Sequence, residues 1–218
     1  MKLDDIAPQL TAWLELLQRL VPLVTRMIEQ LAQWGRRDKG AAYRVESFDG
    51  ELVLHDRCGQ SATYRKRERV RVTQDEVRTL NDVNWGNGRQ FVGHRVQPGS
   101  VIGSAQVGPR VRHVIELPRV VRRGHRLSLR ATRQIRGAFT RPTDRWLESE
   151  VYHHTERLTM RVLFPPGSRP RGSRVRCLLR EIDTKLTARP LPGGGSVLSF
   201  TIRRPSLGER VTISWTSM

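Results

Sequence analysis

The sequence predicts a mainly β protein: an antiparallel β-sandwich of about nine strands, preceded by a long amphipathic helix. Three observations lead there. Apolar residues recur at helical spacing as far as Trp34 and at strand spacing after about Ala42. Glycine and proline clusters break the second part at short intervals. The charge changes at the same place as the period. With 37% hydrophobic residues the 218-residue chain can build a core, which excludes general disorder.

The helix comes first, over residues 1–35. Leu3, Ile6, Leu10, Trp13, Leu17, Leu20, Val24, Met27, Leu31 and Trp34 alternate spacings of three and four, an unbroken heptad pattern with Leu3 at a and Ile6 at d. The e column holds Ala7, Leu14, Val21 and Ile28, and Leu16 and Leu23 stand at g. A stripe this wide exceeds the seam of a two-stranded coiled coil, so it predicts a surface for self-association, docking on a partner protein, or lying on a membrane. The assembly residues expected are Leu10, Trp13, Leu14, Leu17, Leu20, Val21, Val24, Met27, Ile28, Leu31 and Trp34. Pro22 predicts a kink near residues 18–22, and Gly35 a stop. A bare membrane span is not expected, because Glu15, Arg19, Arg26 and Glu29 would each cost about 2.5–3.5 kcal/mol near the bilayer centre.

Residues 36–42 read as a linker, and 43–218 as the basic β domain. Asp49-Gly50 inside "YRVESFDGELVLHD" predicts a two-residue hairpin. Further runs at 63–72, 89–96, 110–117 and 125–135 alternate, as do 145–164, 174–182, 196–204 and 210–216. "QDEVRTL" (74–80) is read as a helical turn and "NDVNWGNG" (81–88) as a loop. The core is expected to include Leu54, Val72, Ile115, Leu129, Met160, Phe164, Leu179, Phe200 and Ile213, with Trp146 and Trp215. "NDVNWGNG", "GAFTRPTDRW", "EVYHHTERLTMRVLFP" and "RPSLGERVTISW" resemble a group of uncharacterised bacterial β-rich proteins over residues 43–218. That resemblance implies a β fold and carries no activity.

Charge points to partners. The formal net charge is +18, yet residues 1–35 are nearly neutral, with Lys2, Arg19 and Arg26 against Asp4, Asp5, Glu15 and Glu29. The basic surplus belongs to the body and implies an anionic partner such as nucleic acid, acidic lipid or an acidic protein. The clearest feature is "TYRKRERVRV": in a strand, Arg65, Arg67, Arg69 and Arg71 share one face about 6.7 Å apart, while Val70 and Val72 point into the core. A solvated face with acidic cross-strand partners and an anion-binding face are both compatible with that pattern.

Enzymatic signatures are missing. The chain has no GxxxxGK[ST], GxSxG, HExxH or helix-opening GxGxxG. "LPGGGS" reads as a flexible loop and "HHTE" (153–156) as the exposed turn of a 145–164 hairpin. Asp82, Trp85, Gly86 and Gly88 form a polar-aromatic loop that reads as an end plug or a stacking surface. Cys58 and Cys177 belong to no metal-binding or disulfide pattern. The expectation is a non-enzymatic protein with no cofactor, metal or small-molecule substrate. "MKLDD" lacks the basic region of a secretory signal, so the expected location is cytoplasmic, with peripheral membrane attachment.

Overall fold

The computed structural model describes residues 41–85, 91–107 and 110–217, all within a unit spanning Gly40–Met218. The assembly stripe from Leu10 to Trp34 lies outside the described residues, as do Gly86 and Gly88.

The fold is mainly β. Its strands are β1 (Tyr43–Leu54), β2 (Ser61–Val72), β3 (Val77–Trp85), β4 (Phe91–Gln97), β5 (Ser100–Val107), β6 (Arg110–Val121) and β7 (Arg126–Arg136). They continue with β8 (Trp146–Glu150), β9 (Arg157–Phe164), β10 (Arg174–Cys177), β11 (Ile182–Lys185), β12 (Arg189–Pro190), β13 (Ser196–Arg203) and β14 (Arg210–Ser214). A seven-stranded sheet has the order β12-β13-β9-β1-β2-β7-β4, a four-stranded sheet β11-β10-β14-β8, and a three-stranded sheet β3-β6-β5. The sheets are not wholly antiparallel, because β1 pairs with β9 in parallel.

Both small sheets pack on the same face of the large one. Leu52, Leu54, Val162, Phe164 and Leu198 meet Leu147, Val175, Val211 and Ile213 of the four-stranded sheet, where Trp215 stands edge-on to Phe164 at 5.5 Å. Farther along, Tyr43, Val45, Val70, Val72 and Leu129 meet Val77, Leu80, Ile115, Leu117 and Val121 on or beside the three-stranded sheet. Each fully buried aliphatic side chain contributes about 1.5–3 kcal/mol. Most of the expected core is buried, but Phe200 and Trp146 are half-buried and Leu179 is exposed.

Several expected elements differ. No hairpin turns at Asp49-Gly50, and β1 runs straight through it. Gly50 is there because Phe48 and Tyr64 lie over it, so that a Cβ would fall 2.9 Å from Phe48 Cε1 and 3.0 Å from Tyr64 Oη. The turn comes later, where Asp56 accepts the N–H groups of Gln60 (2.9 Å) and Ser61 (2.7 Å). "QDEVRTL" runs into β3 instead of forming a helical turn, and Asn81–Trp85 continue that strand, where a loop was expected. The 145–164 run is no hairpin: β8 joins the four-stranded sheet and β9 the seven-stranded one, so 151–156 crosses between layers. The 174–182 run folds back on itself as β10 and β11. β5, with the weak pattern "SVIGSAQV", and the two-residue β12 have no counterpart among the expected strands.

Candidate functional site

Strand alternation gives β2 two working faces. On the outer one Arg65, Arg67 and Arg69 are exposed and Arg71 is half-buried. Register then builds a field of arginines around them. Arg67 stands between Asp49 and Arg130, Arg69 between Ser47 and Ser128, and Arg71 between Arg44 and Arg126. Exposed Arg95 on β4, Arg157 and Arg161 on β9 and Arg203 on β13 extend it across the sheet. Carboxylates are few: Glu51 lies 3.3 Å from Arg65, and Glu46 lies 2.9 Å from Arg126. Among the described residues no salt bridge is made by Arg67, Arg69, Arg71 or Arg130, and both small sheets cover the opposite face. Like charges directly opposite each other weaken an antiparallel pair. Planar guanidiniums arranged this way can take phosphate or carboxylate groups bidentately.

The inner face of the same strand carries Tyr64, Lys66 and Glu68, and sequence reasoning missed it. Lys66 Nζ lies 2.5 Å from Asp82 Oδ1 and 3.1 Å from Glu68 Oε1. Arg133 donates a short hydrogen bond to Asp82 Oδ2, and His94 Nε2 is 3.5 Å from the same oxygen. The Asp82 side chain is fully buried and that of Arg133 only 3% exposed, so these charges survive by pairing. Burial works against the Asp82 carboxylate, but Arg133 and Lys66 outweigh it and hold the group well below the usual carboxylate range. Burial also works against the Lys66 ammonium, which Asp82 and Glu68 nevertheless raise above the usual lysine value. For Glu68 burial wins and pushes the carboxyl up, while the Tyr64 phenol is pushed up to about 12. The signal was readable: Lys66 and Glu68 are the lysine and the acid of "TYRKRERVRV" and share the parity of Val70 and Val72.

Asp82, His113 and Ser104 form a row across β3, β6 and β5. Ser104 Oγ is 2.6 Å from His113 Nδ1, and the His113 ring packs at 4.4 Å on His94. Burial, then His94, lowers the His113 pKa to about 4. The row has the residue types of a catalytic triad without its wiring. Asp82, which would orient the imidazole, is held by Lys66, Arg133 and His94 instead.

His153 departs from the exposed turn expected of it. It is half-buried, packed at 4.4 Å on Tyr43, with its pKa lowered to about 4 by burial, whereas His154 is exposed. Asp82 and Trp85 stand on β3, not in a loop. Among the described residues no group of three histidine, cysteine or acidic side chains could hold a metal ion. Among them, too, no helix is long and apolar enough to cross a membrane.

No family model matches the chain, and no curated protein matches it. Solved structures do resemble it in shape. An M1 zinc metallopeptidase from Deinococcus radiodurans is 14% identical at a TM-score of 0.45, over 79% of this chain and 42% of that one. A putative protease from Parabacteroides distasonis is 10% identical at 0.48, over 79% and 40%. The chain thus spans less than half the length of these proteins, and at such scores no activity transfers to it.

Proposed function

We propose that this protein is a non-enzymatic docking module, an adaptor or membrane-acting effector that attaches to anionic membrane through its arginine face. Residues 1–35 supply self-association or docking on a partner, as the kinked amphipathic helix that precedes a β-sandwich body. The observation that carries the reading is the cross-strand clustering of arginines in excess of acids, with Arg67 opposite Arg130 and Arg71 between Arg44 and Arg126. Within it Glu46 pairs with Arg126, and Asp49 stands across from Arg67. An anionic surface relieves the repulsion that the fold leaves in place.

Nucleic acid is the alternative, through its phosphates. The described outer-face positions carry no aromatic side chain on which bases could stack, which favours the membrane. The test is the triple change Arg67→Gln, Arg69→Gln and Arg130→Gln in the full chain. At about 1 kcal/mol per arginine near an acidic leaflet, vesicle affinity should fall about a hundredfold, with a flatter salt dependence. Unchanged vesicle binding would sink the membrane reading. Loss of duplex DNA binding alone would move the face to nucleic acid.

A further inference from the structure

We infer that the turn between β10 and β11, which carries Leu178 and Leu179, is a preformed wedge that enters the headgroup region of an anionic bilayer. The inference rests on the membrane reading above and adds an apolar contact to it. Leu178 and Leu179 are 52% and 54% exposed, more than Val101 and Val120, the other exposed large hydrophobics among the described residues. Hairpin turns favour Gly, Asn, Asp, Ser and Pro. Two adjacent leucines there serve neither the turn nor the core.

The tip is held in place. Leu178 N–H donates to the Arg210 carbonyl (3.0 Å), and Leu179 N–H donates to Glu209 Oε1 (2.7 Å). Glu209 is itself fully buried, and Arg180 Nε lies 4.0 Å from its other oxygen, so the side chain is enclosed between the turn and Arg180. Arg180 Nη2 donates to the carbonyl oxygens of Arg203 (3.3 Å) and Arg204 (2.5 Å). Glu181 and Arg204 adopt left-handed backbone at φ 52° and 46°, a conformation that costs a non-glycine residue energy. Hydrogen bonds from Leu178, Leu179 and Arg180 thus fix the turn that carries the two exposed leucines. A fixed tip also loses little further freedom on insertion.

Its surroundings select the occupant. Arg174, Arg176 and Arg180 stand exposed around the leucines, against Glu181 and Asp183. The Asp183 carboxylate pairs with Arg174 at 2.8 Å and Arg176 at 3.4 Å, which leaves the turn basic. Arg180 ties the tip to the backbone carbonyl of Arg203 at the end of β13, so the tip stands beside that end of the seven-stranded sheet. Two exposed leucines on a turn with arginines in excess of acids match a bilayer interface, where apolar side chains reach the acyl boundary and arginines stay at the phosphates.

The test compares the full-length protein with Leu178→Ser/Leu179→Ser and Leu178→Phe/Leu179→Phe, by flotation on vesicles of equal parts phosphatidylcholine and phosphatidylglycerol. The serine pair should lower vesicle affinity about tenfold and the phenylalanine pair should raise it, because apolar insertion strengthens with buried area. Thermal midpoints should stay unchanged, since both side chains are already exposed. Vesicle binding by the serine pair equal to wild type overturns the wedge, and any acidic protein captured through the leucines would then be the occupant. If the arginine triple variant still loses binding in that case, the arginine face stands and only the wedge falls. If both variants bind normally, both proposals fall.

Discussion

The two faces of β2 carry charge in opposite ways. Outside, Arg65, Arg67 and Arg69 face solvent, with Glu51 as the acid within reach of Arg65. Inside, one residue out of step, Lys66 and Glu68 are enclosed with Asp82 and Arg133 in a paired cluster between layers. Solvated like charges repel through water, which weakens the repulsion to a level the fold bears, so they can be changed with little effect on stability. Buried charges tolerate no vacancy, since an orphaned partner bears the whole desolvation penalty. The outer face is therefore free to evolve toward a ligand, while the inner face is tied to the fold.

The sharpest way to break that contrast is at Asp82. Asp82→Ala leaves Lys66 and Arg133 buried without their shared carboxylate, and should cost about 3–5 kcal/mol in urea unfolding. A loss below 1 kcal/mol would mean the cluster is wet. Gly50→Ala tests how tightly the inner face is packed. Its Cβ would press on Phe48 and Tyr64, and overpacking predicts a loss of about 1–3 kcal/mol.

Two histidines outside β2 should also make stability depend on pH. His113 and His153 have folded pKa values lowered to about 4, against an ordinary 6.5, so the unfolded chain binds more protons between those values. Stability should fall as pH drops from about 6.5 toward 4. Glu68, pushed up by burial, acts in the opposite direction above its ordinary value and offsets part of the loss. Replacing His113 or His153 by Gln should flatten the fall, and a slope unchanged in both variants would assign it to other groups. The smallest effect is expected outside. Arg67→Gln with Arg69→Gln should shift stability by no more than about 0.5 kcal/mol, while weakening vesicle binding. A large destabilisation would show that the outer arginines are structural.

How much of this was legible varies by region. The β class and the arginine ladder followed from period two, which is local and needs no partner. The buried cluster was half legible: parity placed Lys66 and Glu68 inward, but Asp82 and Arg133 arrive from β3 and β7. Local turn signals misled at Asp49-Gly50, where the glycine makes room for two aromatic rings and no turn forms. At Leu179 alternation implied burial, but the chain reverses there, and a turn has no inner face.

By itself, then, the sequence determined which residues share a face along a strand, because side-chain alternation is a property of one extended chain. It also determined that the body is basic. Only the tertiary structure decided which strands are neighbours, and through them which charges are paired. Arg67 meets Arg130, and Lys66 meets Asp82, through contacts between segments distant in the chain. No local pattern encodes such a pairing, because strand order is set by how the sheets bury their apolar faces against one another.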